Sequence, residues 1–389
     1  MKIRVFYAGE YPNGFTPMSR RLHYYMKAML SKGVDVEIVM PTPKCRERGK
    51  HEGVPYSFVI VPQPTRFNKR KISREYAQIC RDLAKHCDIV FPICGDTNYR
   101  IKLITKAIHS EGKKIVIEQN ENPYSFFGGR LDFQWIMNIN RKIFLKYRVP
   151  QIDGFIVISS PLFNLMSLYK NSGAEIVRIP ILSDVEKLDG KFHKEREDNI
   201  PYILHAGTIS EYKDGIIAIF EAFALAHKRL NGKIKFILTT KVGFPRLLSK
   251  INSIIKDNNL QDYVEFKGLI PKEELDKLRD GCTLAIINKP SNAQNDYNFP
   301  TKLSELLPAE VPVIVSNTGE MSKFFIDGKN VYLVEPNNVT QIADKIVQII
   351  QNPDEAKRIA KNGRALAEQE FNYLNHTDSL YSFFKNVIS

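Results

Sequence analysis

The sequence predicts an α/β protein built from two doubly wound halves, each a parallel sheet covered by helices on both faces. Three observations predict it. Short apolar runs alternate with longer amphipathic stretches along the whole chain. The runs are almost continuously apolar, as strands buried on both faces are. The chain has 389 residues, more than one ordinary core organises, so two domains are expected.

In the first half, strands are expected at Ile3–Tyr7, Val36–Met40, Ile89–Pro92, Lys114–Glu118, Phe155–Ser159 and Ile176–Ile179. Amphipathic helices are expected between them at Ser19–Lys32, Ile72–His86, Asn98–Ser110 and Ser160–Lys170. In the second half the strands are Tyr202–Ala206, Lys233–Thr239, Val264–Lys267, Leu284–Ile287, Val311–Ser316 and Val331–Val334. Its helices include Asp214–Leu230, Phe244–Asp257, Lys272–Arg279 and Thr340–Gln351. The charged stretch 183–201 has no apolar period and reads as the linker between a domain at 1–185 and one at 198–372. The last helix, within 376–389, can join either domain. In open parallel sheets a ligand binds beyond the carboxyl ends of the strands. The loops after Tyr7, Ala206 and Ile287 are therefore the expected site, in a cleft where the two domains face each other.

Composition narrows the function. With 43% hydrophobic and 25% charged residues the chain reads as soluble and globular. No apolar run reaches the roughly 18–20 residues that span a bilayer, and MKIRVFYAGE turns polar too soon for a signal peptide. A cytoplasmic protein is expected. The five cysteines are scattered without CxxC spacing, which points to reduced thiols and away from a zinc site. A net charge of +13 points to an anionic partner: nucleic acid, an anionic membrane face or a phosphorylated small molecule. Basic residues interleaved with apolar ones at Arg66–Arg74 and Arg141–Arg148 suit the inner face of a membrane, or are solvated helix faces. No nucleic-acid-binding module is present, so nucleic acid is not the expected partner.

Three loops carry the chemistry. FPTKLSELLPAEVPVIVSNTGE, Phe299 to Glu320, reads as a loop, a helix opened by Pro300, and a buried strand. Free N–H groups at Phe299–Thr301 and the charge of Lys302 suit a phosphate, and Glu305 suits ribose hydroxyls. AGEYPNGFTPMSRR follows the first strand. Its Gly9 and Gly14 allow close backbone approach, Thr16 and Ser19 can cap the next helix, and Arg20 and Arg21 bring charge. It lacks the GxGxxG spacing of a dinucleotide site. HAGTISEYKDG places Gly207 at a tight turn and Lys213 at the start of a helix, while His205 inside its apolar strand is assigned no catalytic role.

Together these segments resemble the retaining GT-B glycosyltransferases of the large family that builds bacterial surface polysaccharides. The resemblance runs through FKGLIPKEELDKLRDGC, NFPTKLSELLPAEVPVIVSN and GKNVYLVEPNN in the second half. It runs more loosely through GFTPMSRRLHYYMKAMLSKGVDVEIVMP, IVISSPLF and IPILSD in the first. It implies two Rossmann-like domains facing across a cleft, the first for the acceptor and the second for the donor. By position, the phosphate-binding lysine falls on Lys213, the ribose-binding glutamate on Glu305, the opening-loop glycine on Gly14, and the base-reading loop on Gly268, Leu269 and the two residues after them. Thr208 stands where the family carries an arginine, and Tyr297 where it carries the first glutamate of its pair; Lys302 is the residue that could restore the lost charge.

The implied activity is that of a hexosyl- or N-acetylhexosaminyl-transferase using a nucleotide-sugar, UDP being the expected nucleotide, with a lipid-linked or glycan acceptor. Anomeric configuration would be retained. No DxD-type pair stands at a strand end, so metal-independent chemistry without a cofactor is expected. Glu121, in IEQNENPY, is the carboxylate expected to meet the acceptor, with Glu118 beside it and Asp96 a weaker option. Two other classes remain: a non-catalytic subunit that binds nucleotide or a partner enzyme, and a sugar-nucleotide epimerase, for which no base set is found.

Overall fold

The structure is a computed structural model that describes residues 1–12, 16–65, 67–95, 97–124, 134–187, 200–207, 209–240 and 245–389. The chain divides into two compact units, Met1–Leu182 with Tyr373–Ser389, and Ser183–Asn372.

The first unit runs β1 (Lys2–Tyr7), α1 (Pro17–Ser31), β2 (Asp35–Thr42), β3 (Gly49–His51), β4 (Val54–Ile60), α2 (Lys69–Ala84), β5 (Ile89–Ile93), α3 (Asn98–His109), β6 (Lys114–Gln119), α4 (Gln134–Tyr147), β7 (Gly154–Val157), α5 (Ser160–Tyr169) and β8 (Glu175–Arg178). The second runs β9 (Tyr202–His205), α6 (Glu211–Asp214), α7 (Ile216–Arg229), β10 (Lys235–Leu238), α8 (Pro245–Asp257), β11 (Val264–Phe266), α9 (Lys272–Gly281), β12 (Leu284–Ile287), α10 (Leu303–Leu306), β13 (Val313–Ser316), β14 (Tyr332–Val334), α11 (Val339–Gln351) and α12 (Pro353–Leu366). A last helix, α13 (Thr377–Ile388), belongs to the first unit.

The first sheet has the order β3-β4-β2-β1-β5-β6-β7-β8, parallel except where β3 pairs with β4. The second is β11-β10-β9-β12-β13-β14 and parallel throughout. In both, the chain winds outward from its first strand and then returns to that strand's other side. The direction of winding therefore reverses between β1 and β5, and between β9 and β12, and a crevice opens at each reversal.

Helix starts follow their capping residues. Thr16 Oγ1 accepts from Ser19 N–H at 3.3 Å, Thr97 Oγ1 from Arg100 N–H at 3.2 Å, and Ser210 Oγ from Lys213 N–H at 3.2 Å. The core of the first unit joins Ile3, Val5 and Phe91 to Leu22, Tyr25 and Met29 of α1, and to Leu380, Phe384 and Val387 of α13. Gly154 of β7 makes that fit possible, because a Cβ there would stand 2.8 Å from Val387 Cγ2 and 2.9 Å from Phe383 Cζ. The second core joins Ile203, Phe236, Leu284 and Ile314 to Phe220 and Phe223 of α7 and Ile342 and Ile346 of α11. Among the described residues no helix is long and apolar enough to cross a membrane.

Local differences from the sequence reading have clear causes. The PTKLSE helix is a single turn, α10, that starts at Leu303 with Lys302 as its N-cap residue, and Pro308 follows within two residues of its end. Four residues sum little dipole, so the phosphate argument there rests on Lys302 and the turn's N–H groups. The hairpin β3–β4 is additional to the expected strands. Its two-residue turn, Glu52–Gly53, has φ of 46° and 84°, the sign a type I′ turn needs.

Candidate active site

In the second unit a narrow recess sits at the reversal between β9 and β12. Leu204 and His205 of β9 and Ala285–Ile287 of β12 line it, with Ala206 at the turn that follows β9. Leu275 and Arg279 of α9 form one wall, and Lys302, Glu305 and Leu306 another. Gly207, just beyond Ala206, has φ +97°, and a Cβ on it would stand 3.2 Å from Lys302 Cε. Glycine at this position thus meets both the backbone angle and the closeness of the lysine stem.

Charge in this region is concentrated and partly buried. Lys289 Nζ donates to Asp214 Oδ1 at 2.9 Å. Burial would raise the Asp214 pKa, but Lys289, Lys302 and His205 hold its carboxyl below the usual range. Lys302 is half-buried: burial lowers its pKa, Asp214 pulls it partly back, and Lys289 lowers it again, to about 8. Two lysines share one carboxylate, so the group keeps a net positive charge in a low-dielectric setting where an anion gains most.

Asparagines hold the loop after β12 in place. Asn288 Nδ2 donates to Gly215 O at 3.1 Å and to Asn337 Oδ1 at 2.7 Å, and Asn337 N–H returns a bond to Asn288 Oδ1 at 3.0 Å. Asn292 Nδ2 reaches Tyr212 O at 2.8 Å, and Asn295 Nδ2 reaches Lys213 O at 3.2 Å. Ser316 Oγ accepts from Lys289 N–H at 2.6 Å. Lys289 is therefore presented from a backbone with few degrees of freedom.

The expected site residues do not all meet at the recess. Glu305 and Lys302 line the recess together. Lys213 is the third residue of α6, off the recess lining, and the lysine that meets Lys302 through Asp214 is Lys289. Phe299 is 3% exposed, its ring packed on Phe324 at 5.4 Å and Phe371 at 5.6 Å, so only its backbone is free to serve a ligand. Thr301 sits in the turn before α10, its carbonyl accepting from Ser304 N–H. Gly268 has φ +69° with open space about it, and Leu269 is 81% exposed; both follow β11 and lie off the recess lining. Gly14, Thr208 and Asp96 lie outside the described residues. Sequence reasoning missed Asp214 and Lys289, although Lys289 stands two residues past β12, at the carboxyl end where a parallel sheet binds its ligand.

In the first unit a second cavity opens past the carboxyl ends of β5 and β6, lined by Ile93, Cys94, Met18, Tyr124 and the segment from Glu118 to Asn122 among others. Glu121 is exposed there, and Gln119 Nε2 donates to its carbonyl at 2.6 Å. Glu118 is buried: its Oε1 accepts from Tyr25 OH at 2.8 Å and from Arg21 Nε. Arg21 also donates to the carbonyls of Ile179 and Pro180. The expectation that Arg21 brings charge to a phosphate is corrected here. It is 5% exposed, and its donors are committed to Glu118 and to those carbonyls.

Known proteins agree with this architecture. The family Glycosyl transferases group 1 matches residues 187–366. An uncharacterized glycosyltransferase of Methanocaldococcus jannaschii is 22% identical over 60% of this chain and 59% of its own length. The amylovoran biosynthesis glycosyltransferase AmsK of Erwinia amylovora is 23% identical over 44% of this chain and 41% of its own length. The chain thus spans only about half the length of these relatives. Among solved structures, sucrose-phosphate synthase from Thermosynechococcus elongatus superposes with a TM-score of 0.77 at 14% identity, covering 100% of this chain and 99% of that one. Anabaena HepE, in complex with UDP and glucose, superposes at 0.71 with 15% identity over 99% of each chain. Residues 187–366 of this chain thus match the Glycosyl transferases group 1 family, and the chain as a whole shares the two-sheet fold of these solved structures.

Proposed function

We propose that this protein moves a sugar from a nucleotide diphosphate donor, UDP-sugar, to a hydroxyl of a lipid-linked or glycan acceptor in surface-polysaccharide synthesis, with retention of anomeric configuration. The observation that carries the reading is the recess at the β9–β12 reversal, where the Lys302 stem lies against Gly207 and Glu305 shares the lining. The names of relatives support it: amylovoran and colanic acid biosynthesis glycosyltransferases, and HepE bound to UDP-glucose.

In this reading the donor's diphosphate lies by Lys302, with Lys213 and the N–H groups of the turn at Phe299–Thr301 as further contacts, and Glu305 takes the ribose. Gly14, Thr208, Gly268 and Leu269 keep their assigned donor contacts. As the anomeric C–O bond breaks, its electron pair passes to the β-phosphate oxygen. Positive charge held ready at that oxygen lowers the barrier, one such donor being worth ~3 kcal/mol. The acceptor oxygen forms the new bond on the same face, and its proton passes to the departing phosphate. Glu121 orients the acceptor hydroxyl. No step calls on a metal.

An anionic membrane surface is the proposed place of acceptor encounter. Trp135, Ile139, Lys142 and Lys146 of α4 are all exposed and spaced so that they share a helix face. The test of the whole reading is UDP release from a panel of UDP-sugars with and without lipid-linked acceptor. Acceptor-dependent release is the expected outcome. UDP binding with no turnover of any donor would favour the non-catalytic subunit.

A further inference from the structure

Helix α1 and the β3–β4 hairpin bring together side chains that sugar transfer does not use. His23 of α1 is buried, and its Nδ1 lies 2.8 Å from the Tyr11 hydroxyl. Its Nε2 lies 3.4 Å from Glu52 Oε2, and His51 Nε2 lies 3.8 Å from Glu52 Oε1. Ligating atoms of all three residues stand within 4.8 Å of one another, the single such cluster among the described residues.

We infer that His23, His51 and Glu52 form a binding site for a divalent transition-metal ion of the zinc, cobalt or nickel class. The geometry carries this. Metal–ligand bonds of about 2.1 Å in tetrahedral arrangement put neighbouring donor atoms about 3.4 Å apart. The two measured separations, 3.4 and 3.8 Å, are already at or close to that spacing. Two imidazoles with one carboxylate select a borderline ion over magnesium or calcium, which prefer all-oxygen shells.

The surroundings are those of a prepared ligand set. An imidazole that binds metal through Nε2 must hold its proton on Nδ1, and a hydrogen-bond acceptor at Nδ1 fixes that tautomer. Tyr11 supplies the acceptor, its hydroxyl oxygen 2.8 Å from Nδ1. Glu52 occupies a left-handed turn position where Asn, Asp or Gly is usual, so the turn places a long carboxylate beside His51. Lys27 Nζ donates to Glu52 Oε2 at 3.1 Å. That ammonium holds the carboxylate when no ion is bound and must yield Oε2 when one enters, so it acts as a competitor that tempers affinity. Three protein ligands leave a fourth position to water. The bound ion would fasten α1, and through Tyr11 the segment before residue 13, to the edge hairpin. No cysteine takes part, which is why cysteine spacing gave no sign of it.

The experiment uses the untagged full chain, titrated with Co²⁺ by visible absorption and with Zn²⁺ by calorimetry. One ion per chain with a tetrahedral Co²⁺ spectrum is expected, and saturating Zn²⁺ should raise the melting temperature. H51Q, on the exposed hairpin, should weaken binding at least about 10-fold, Y11F about 10-fold, and K27M should tighten it. Absence of saturable binding overturns the site. So does affinity unchanged in H51Q, or a thiolate charge-transfer band that puts the ion on a cysteine. Because H51Q leaves the α1 core intact, its result stands even if H23Q fails to fold.

Discussion

The Lys302 side chain lies across Gly207, its Nζ 3.6 Å from where a Cβ on that glycine would be. The two residues come from different loops, and a methyl group on residue 207 would stand 3.2 Å from Lys302 Cε, so the lysine stem would have to shift by a few tenths of an ångström. Gly207→Ala should therefore do two things. The positive φ costs an L-residue about 1 kcal/mol of stability, and the methyl group crowds Lys302 Cε, shifting the stem that carries the ammonium. UDP affinity, read by calorimetry, should drop roughly 10-fold, the value of one charge-assisted contact. Unaltered affinity would separate Lys302 from the donor.

Lys302 should also stamp the pH dependence. Its pKa is about 8 in the fold, against 10.5 ordinarily, so between those values the folded chain binds fewer protons than the unfolded one. This residue's contribution thus makes stability rise with pH through that window, and its penalty is fully present below pH 8. Lys302→Met should raise the unfolding free energy at pH 7 by about 1 kcal/mol while abolishing UDP binding, a stability gain purchased with function. A methionine variant that is less stable at pH 7, measured by denaturant unfolding, contradicts this.

Asp214 is the anion that keeps the two lysines compatible. Asp214→Asn leaves Lys289 and Lys302 facing each other without it, so Lys302 loses its proton more easily. The alkaline fall in UDP affinity should move to lower pH by about one unit. A binding profile superimposable on that of the parent chain would show that Lys302 does not feel Asp214.

Glu118 and Glu121 should respond in opposite ways. Glu118→Gln leaves the buried Arg21 guanidinium without its counter-charge and should cost about 3 kcal/mol. Glu121 is exposed, so Glu121→Gln should change stability by less than about 0.5 kcal/mol. It should raise the acceptor KM about 10-fold with the donor KM unchanged. Equal effects of the two changes on stability would refute the contrast.

For the proposed membrane face, a Trp135→Ala, Lys146→Glu pair should weaken sedimentation with anionic vesicles several-fold, and 0.5 M salt should weaken it in the parent chain. Binding that ignores both changes would move the contact elsewhere, Phe67 with Lys69 and Arg70 being the next such group.

Most strands were legible because a strand buried on both faces must be apolar at every position, a signal that needs no partner. The recess was legible at Lys302 and Glu305, where spacing along a turn is local. What escaped was non-local or irregular. Arg21 reads as a surface cation, yet it shares the i, i+4 stripe with Tyr25 and Met29, all three buried; its partner Glu118 is 97 residues away. Asp214 and Lys289 meet across 75 residues, one closing the single-turn α6 and the other in the loop after β12, and neither belongs to a periodic pattern. The β3–β4 hairpin was hidden because its turn is Glu-Gly where Asn-Gly or Asp-Gly is the usual signal.

Helix α13 sets an order on biosynthesis. The core around β1 and α1 lacks Leu380, Phe384 and Val387 until residues 377–388 have been synthesised, whereas Ser183–Asn372 is whole before then. The first unit is thus completed after the second, and its apolar face stays open until α13 arrives. A stop codon placed before Thr377 would strand that half unfinished while its neighbour matured normally.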